Sequence, residues 1–382
     1  MKVERDIAGF ALPFAGGVLV TAYSGTIFHG LSSYIHIIAS SAILMTLMLL
    51  LQRQKLKFAR HIKYILIGAA AMGCGALCAA TDMFLLDMPQ SELMNACNDI
   101  GLRMQSLIDT IPFKSDDTSA MIKALLTGER TSLSTEIKTT FRSSGASHIL
   151  ALSGLHLGII YGILSWVLSI LGNSKAMRIL RSAIIIMACG AYTLATGAGD
   201  SLARAFIFIF LREIARMTCR YHGLGQILLT SLIIQLVIDP SSIRSVSFQL
   251  SYAAMAGIAF IYPWLQGFWE RACKVLTTRE EDDFNKADGP LSRPTRWIWN
   301  TVALSIACQL TTGPLAYLYF GTFPKYFMLT NLLTLPLTGI LIPTALLTLC
   351  LSAIGYCPSI MVQATEWFAE TLIWMMQVIS TM

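Results

Sequence analysis

Charged residues are scarce in this sequence. Asp, Glu, Lys and Arg make up 13% of its 382 residues, whereas about a quarter of a soluble globular domain is charged. Residues 31–51 and 327–356 contain no charged side chain at all. Since about 18 apolar residues suffice to cross the hydrocarbon core of a bilayer, the composition excludes an ordinary soluble protein. It predicts an all-α polytopic integral membrane protein with about 9–11 transmembrane helices and additional external amphipathic helices.

Motifs for nucleotide or metal chemistry are also missing. There is no Gly-x-x-x-x-Gly-Lys phosphate-binding loop. Transport that consumes nucleotide energy would therefore need a separate motor protein. The six histidines form no metal-ligand cluster, and the nine cysteines fall mostly in apolar segments, where they are typical packing residues. We therefore expect no metal, no cofactor and no enzymatic activity.

The basic residues predict a topology. Five of them between residues 53 and 63 have no acid among them, and short cytoplasmic loops are enriched in Lys and Arg. This places the N-terminus in the cytoplasm of a multi-pass protein of the inner (plasma) membrane. We expect an N-terminal three-helix membrane segment (1–86), external amphipathic helices (87–145) and a transmembrane core (146–382) with a cytoplasmic loop at about 270–296.

The predicted external segment contains three helices. Apolar residues recur at helical spacing between Ile100 and Ile111. A second helix covers 117–126 and ends at Gly128, and Ser134 is a candidate N-cap for a third. These helices are predicted either to lie along the outer membrane face or to form a small lid packed on the bundle.

The most informative polar residues lie at the start of the fourth predicted span, 146–171. They are Ser147, His148, Ser153, Gly154 and His156. On one continuous helix, Ser153 and His156 would share a face, and His148 would lie about two turns earlier. Polar groups at this depth require partners or water. Three interpretations stay open: hydrogen bonds between helices, the lining of a translocation path, or a Ser–His hydrolase without a nearby carboxylate.

Further polar positions follow along the chain. Arg204 begins a stripe of arginines that continues at Arg212, Arg216 and Arg220. The stripe either provides a row of positive charges for an anionic substrate or reflects the enrichment of arginine at the cytoplasmic ends of membrane spans. Gln249 and Ser251 begin a later span, and Asn331 lies five residues before Pro336. Residues 327–356 are interpreted as one kinked helix or two shorter segments.

Several of these blocks resemble the ComEC-type competence family. The turn Gly128-Glu129-Arg130 is followed by a block from Phe141 to His156 that is similar to the family pattern F-x-x-x-G-x-x-H-x-x-A-x-S-G-x-H. Later blocks follow in the family order: Leu202-Ala203-Arg204-Ala205, Asp239-Pro240, Ser247-Phe248-Gln249-Leu250-Ser251-Tyr252, and Asn331 with Pro336. The resemblance extends from about Gly101 to near the C-terminus.

The resemblance implies a function, which the residues alone do not. Family members form an inner-membrane channel that imports single-stranded DNA during natural transformation. The implied path or core-site residues are Ser147, His148, Ser153, Gly154, His156, Arg204, Gln249, Ser251 and Asn331. The implied partners are single-stranded DNA and the lipid bilayer, with a separate external DNA-binding protein, a cytoplasmic motor and a homo-oligomer as further candidates. The alternatives are a transporter for a smaller anionic solute or lipid, and a membrane-embedded Ser/His hydrolase.

The sequence departs from the family in two respects. Many members carry an external oligonucleotide-binding β domain, for which residues 87–100 are too few. Many also carry a metallo-β-lactamase-like domain, whose histidine cluster has no counterpart here. The expected protein is therefore a competence-domain core.

Overall fold

Long apolar helices are the main elements of the computed structural model. The structure describes residues 2–24, 68–69, 71–76, 78–79, 92–150, 152–172, 174–197, 199–218, 223–268, 292–321 and 326–381. Its α-helices are α1 Lys2–Ser24, α2 Glu92–Thr110, α3 Asp116–Thr127, α4 Thr135–Ser143, α5 Ser147–Leu150, α6 Gly154–Val167, α7 Lys175–Ala195, α8 Asp200–Met217, α9 Leu224–Ile238, α10 Val246–Ala256, α11 Ser292–Phe320, α12 Phe327–Ala353 and α13 Ser359–Ser380. Shorter turns extend them: 3-10 turns at Leu168–Leu171 and Pro240–Arg244, and a π turn at Gly257–Ile261.

Five stretches in the described residues are long and apolar enough to cross a membrane. They are Gly154–Leu171, Lys175–Ala195, Val246–Phe268, Arg296–Phe320 and Phe327–Ala353, and shorter apolar helices cover Ile7–Tyr23 and Leu224–Ile238. No strand occurs in this described part of the chain. The prediction of an all-α polytopic membrane protein is confirmed, while the predicted span at 31–51 lies outside the described residues.

The chain divides into two compact units. The first comprises Met1–Gln90 and Thr218–Tyr252. Within it, α1 packs against α9 and the 3-10 turn at Pro240–Arg244, with Phe14, Val18 and Leu236 in the shared core. A Cβ on Gly17 would overlap the Met72 carbonyl, so glycine permits close approach of two helical backbones here.

The second unit comprises Ser91–Met217 and Ala253–Met382. One of its cores joins α3 and α4 to α12 and α13, and another joins α6, α7 and α8. Helix α12 is continuous from Phe327 to Ala353, with Pro336 and Pro343 inside it, so this segment forms one helix and not two shorter segments. The unit thus holds most of the predicted site.

The short helices of the predicted external segment begin and end near the expected residues. Gly128 ends α3 with φ +79°, and the Ser134 hydroxyl accepts a hydrogen bond from the Ile137 amide at the start of α4. Met121 and Leu125 of α3 are buried in the core that includes α12 and α13. Of the two predicted arrangements, helix packing on the bundle is therefore the one observed for α3.

Candidate functional site

Ser153 and His156 form a reciprocal helix cap at the start of α6. The Ser153 hydroxyl accepts a hydrogen bond from the Leu155 amide (3.3 Å), and Nδ1 of His156 accepts one from the Ser153 amide (3.3 Å). The first amides of a helix have no carbonyl partner within the helix, so side chains commonly satisfy them. Here histidine takes the place that Glu or Gln has in the usual capping box. The two residues that sequence analysis paired are in direct contact.

The same contact fixes the tautomer of His156. Because Nδ1 accepts the Ser153 amide proton, the neutral ring carries its own proton on Nε2. The side chain is 1% exposed, and its Nε2 has no hydrogen-bond partner among the described residues. A buried donor without a partner is unfavourable in an apolar environment. His156 Nε2 therefore offers a hydrogen bond within the protein interior.

The expected continuous helix from 146 to 171 is wrong. Ser147–Leu150 form the separate short helix α5, and Ser153 is extended, with φ −125° and ψ 169°. His148 and His156 therefore do not share one helix face. Ser147 and His148 are exposed, and His148 Nδ1 lies 3.2 Å from the Gly145 carbonyl oxygen.

Arg204 is a buried cation on α8, the helix that packs on α6. The first turn of α6 packs on α8, where a Cβ on Gly154 would lie 3.3 Å from that of Ala205. Arg204 precedes Ala205 and is only 1% exposed. Arginine is effectively always protonated, so a cation is held inside the second unit, on the residue next to the α6–α8 contact. The structure therefore brings the neighbourhoods of Gly154 and Arg204 together.

The remaining described arginines of the stripe have internal partners. Arg216 forms an ion pair with Glu213 at 3.0 Å, and the Arg212 guanidinium carbon lies 5.6 Å from the centre of the Tyr161 ring. Arg216 is thus paired with a carboxylate, whereas Arg212 keeps its charge over an aromatic ring. Arg220 lies outside the described residues.

Glu213 is a buried acid that sequence analysis overlooked. Its carboxylate accepts hydrogen bonds from Tyr161 on α6 (2.8 Å) and Ser182 on α7 (2.6 Å), besides its ion pair with Arg216. The residue is 0% exposed. An acid within a largely apolar helix was the available signal, because such residues require partners. Glu213 connects three helices of the site.

The turn Gly128-Glu129-Arg130 lies against the residue that precedes the cap. A Cβ on Gly128 would be 2.6 Å from Leu152 Cδ1. The Glu129 carboxylate accepts hydrogen bonds from the amides and hydroxyls of Thr131 and Ser132. Partial burial raises its pKa, but these hydrogen bonds outweigh that effect and lower the pKa of Glu129 to about 2. The carboxylate is thus ionised and held within its own turn.

Asn331 lies on α12, half-buried. Its Nδ2 lies 3.4 Å from the Ser305 hydroxyl on α11. The preceding residue, Thr330, donates to the Ser144 carbonyl at 2.7 Å. The first turns of α12 thus contact both α11 and the loop that leads into α5.

Gln249 and Ser251 belong to the first unit. Gln249 Nε2 donates to the Ile243 carbonyl at 2.9 Å, which closes the 3-10 turn before α10. Ser251 is half-buried two residues later. Gln249 thus has a local structural contact.

Metal-ligating side chains do not converge in the described part of the chain: no group of three or more His, Cys, Asp or Glu residues there could hold an ion. The chemistry that these residues offer is hydrogen bonding and positive charge.

Sequence comparison finds known proteins that are similar to this chain. A family model described as "Competence protein" matches residues 125–382. The chain is 28% identical over 156 residues to "ComE operon protein 3" of Bacillus subtilis (strain 168), an alignment that covers 40% of this chain and 20% of that protein. It is 24% identical over 269 residues to "Uncharacterized protein YcaI" of Escherichia coli (strain K12), covering 66% and 31% respectively. The chain therefore matches less than a third of either relative's length, and no solved structure matches it significantly.

Proposed function

Because this chain belongs to the competence protein family, we propose that it acts in DNA uptake during natural transformation and conducts a single strand through the plasma membrane. The observation that carries this proposal is the family match over 125–382, the region that contains the Ser153–His156 cap and Arg204. The N-terminus is proposed to lie in the cytoplasm, so that α6 begins at the outer face.

Buried polar chemistry supports a path for a polyanion. A DNA strand carries one negative charge per phosphate and is strongly attracted to cationic surfaces. Arg204 is a buried cation, and His156 Nε2 is a buried donor next to the helix that carries it. In a membrane bundle such groups characteristically mark substrate or ion pathways.

Threonines on α12 add buried polar groups to those of His156 and Arg204. Thr330, Thr334 and Thr338 are buried at every fourth position, and the hydroxyls of Thr334 and Thr338 donate to carbonyls one turn earlier. A hydroxyl with its proton committed in this way still presents oxygen lone pairs. Together with Asn331 these residues are proposed to form one wall of the path.

The process requires other components. Ser147, His148 and Gly154 are proposed to act in or beside the path. The energy is proposed to come from a separate cytoplasmic motor, and DNA capture from a separate external protein. A homo-oligomer would be a further way to complete a channel of sufficient width.

One specific contact favours a second candidate, a Ser/His hydrolase. Ser153 Oγ lies 3.1 Å from His156 Nδ1, within reach for proton transfer from a nucleophile to a base. Against it, Nδ1 is also the acceptor of the Ser153 amide, and the geometry is that of a helix cap. Replacement of Ser153 by Asn separates the two candidates, since Asn caps a helix but is no nucleophile.

Gene deletion tests the proposed function. In a naturally competent host, deletion should reduce transformation by added DNA to background, and the wild-type gene should restore it. DNA introduced by electroporation is the control, because it bypasses uptake and should transform both strains equally. Normal transformation in the deletion strain would contradict the proposal and favour a smaller anionic solute, a lipid or a hydrolase substrate.

Two variants then test the site. Arg204→Ala should impair transformation at a normal protein level, and Arg204→Lys should retain part of it because the charge is kept. If both variants transform as the wild type does, Arg204 is a structural residue.

A further inference from the structure

A basic groove lies between the Gly128-Glu129-Arg130 turn and the start of α5. It has a volume of about 420 Å³ and is lined by Arg130, Thr131, Lys138, Arg142, Ser147 and Leu150. The lining therefore contains three cations and no carboxylate. We use the name "basic groove" for these six residues.

The cations of the basic groove are not paired with acids in the part of the chain that the structure describes. Arg130, Lys138 and Arg142 form no ion pair with any carboxylate of the described residues. Two acids are near in sequence: Glu129 is committed to Thr131 and Ser132. Glu136 on α4 forms no ion pair with these cations. The groove lining consequently presents three positive groups, with the ionised Glu129 carboxylate bound to the lining residue Thr131.

The spacing of two of these cations is unfavourable without a ligand. Lys138 and Arg142 are four residues apart on α4, so they lie on the same helix face. Like charges at this spacing destabilise a helix by a few tenths of a kcal/mol. An anion bound between them would reverse that repulsion.

The basic groove is close in the chain to the proposed path. Its Ser147 is the first residue of α5, which is followed by the Ser153–His156 cap. The turn that carries Arg130 also packs on Leu152 through Gly128. An anion in the groove would therefore be held where the chain leads into α6.

The lining chemistry identifies the anion class. Arginine forms bidentate hydrogen bonds with phosphate oxygens, and lysine supplies a point charge. A volume of this size is in the range of about 300–1,000 Å³ that holds small ligands. No aromatic side chain lines the groove, so it has no surface on which bases would stack.

We propose that the basic groove is a phosphodiester-binding site that receives the backbone of the incoming DNA strand without base preference, at the entrance of the path. The proposal rests on the proposed function for the identity of the ligand. It assigns Arg130, Lys138 and Arg142 to substrate capture, a role that neither the family match nor the sequence pattern provides.

Binding of a labelled single strand tests the proposal. The full chain is reconstituted in nanodiscs of zwitterionic lipid, and its Kd for a fluorescent oligothymidylate is measured at several salt concentrations. Lys138→Gln and Arg142→Gln should each weaken binding roughly tenfold. Each should also make the slope of log K against log salt shallower by about 0.7. A mixed-sequence oligonucleotide should bind equally well.

Matched controls distinguish local charge from net charge. Arg103→Gln removes one positive charge from an exposed position on α2, outside the basic groove, and should leave Kd and slope nearly unchanged. Lys138→Arg should bind as the wild type does. Equal thermal midpoints for all variants in detergent exclude unfolding as the cause of weaker binding.

Several outcomes would overturn the inference. These are no measurable binding by the wild-type protein, equal weakening by Arg103→Gln, or unchanged binding in a Lys138→Gln/Arg142→Gln double variant. A lipid headgroup is the competing phosphate source. If the double variant loses only association with anionic-lipid vesicles, the groove binds lipid and the DNA-binding inference is wrong.

The inference and the proposed function can fail separately. If gene deletion abolishes transformation but the double variant restores it fully, the function stands and the groove is not the capture site. If deletion leaves transformation normal while the variants lose oligonucleotide binding, the groove binds phosphodiesters and the proposed function is wrong.

Discussion

The Ser153 amide donates a hydrogen bond to Nδ1 of His156 at 3.3 Å. This contact joins the two most conspicuous polar residues of the sequence in a helix cap, and it leaves the His156 Nε2 proton directed into the buried interior. His156 thus caps a helix through one ring nitrogen and keeps the other available inside the protein.

The cap makes a prediction about Ser153. Ser153→Ala should lower stability by about 1 kcal/mol, because the Leu155 amide loses its acceptor. Ser153→Asn should retain both stability and transformation, since Asn is an equally good N-cap. Thermal unfolding in detergent and transformation frequency measure the two effects. Loss of activity in a stable Ser153→Asn variant would instead indicate a catalytic hydroxyl.

Glu213 should be a major determinant of the stability of the second unit. Glu213→Ala should destabilise it by about 2–4 kcal/mol, because Tyr161, Ser182 and Arg216 lose their common acceptor. The matched control is Glu370→Ala, at an exposed position on α13, which should change stability by less than about 0.5 kcal/mol. Thermal unfolding of both variants measures the difference, and equal midpoints would contradict the assigned role.

The cases of Ser153 and Glu213 indicate what the sequence could reveal. Helices α3 and α4 were predictable because their signals are local: Gly128 ends one and Ser134 begins the other. The break before Ser153 was missed because apolar residues continue on both sides of it, although a serine three residues before a polar side chain was available as a capping signal.

Partners from distant segments were beyond sequence reasoning. Glu213 depends on Tyr161 and Ser182, which are 52 and 31 residues away in the chain. The Arg216–Glu213 pair is local, three residues apart on α8, and its spacing was available in the sequence. The burial of Arg204 was not, because it depends on the packing of α8 in the second unit. Burial of α3 likewise depends on α12 and α13, which follow some 200 residues later.

Close helix contact makes Gly257 intolerant of substitution. A Cβ there would overlap the backbone carbonyl of Ala307 on α11, so Gly257→Ala should force the helices apart and lower the thermal midpoint. Gly162→Ala is the matched control, because nothing lies within 4 Å of its Cβ position. In a helix this control should be neutral or stabilising by about 0.5–1 kcal/mol. Similar midpoints for the two variants would contradict the close packing.

Acid should weaken the Glu129 turn. The pKa of Glu129 is about 2 in the folded protein, below its ordinary value of 4.5. A carboxyl with a lowered pKa contributes stability above its ordinary pKa, and that contribution is lost as the pH falls from 4.5 towards 2. Glu129→Gln should thus be less stable than the wild type at pH ~7, and the difference should narrow across that window.

Thermal midpoints of the wild type and Glu129→Gln at successive pH values measure this effect. Glu136→Gln, at an exposed position on α4, is the control and should follow the wild type. A Glu129→Gln variant that matches the wild type at neutral pH would show that the hydrogen bonds to Thr131 and Ser132 do not stabilise the turn.

The most direct test of the account is the arrival of DNA in the cytoplasm. Competent cells with and without the gene receive end-labelled DNA, external nuclease removes what stays outside, and the protected label is counted. We expect the deletion strain to bind DNA at its surface but to accumulate no protected label, and the wild-type gene to restore it. Wild-type levels of protected label in the deletion strain would contradict the central claim.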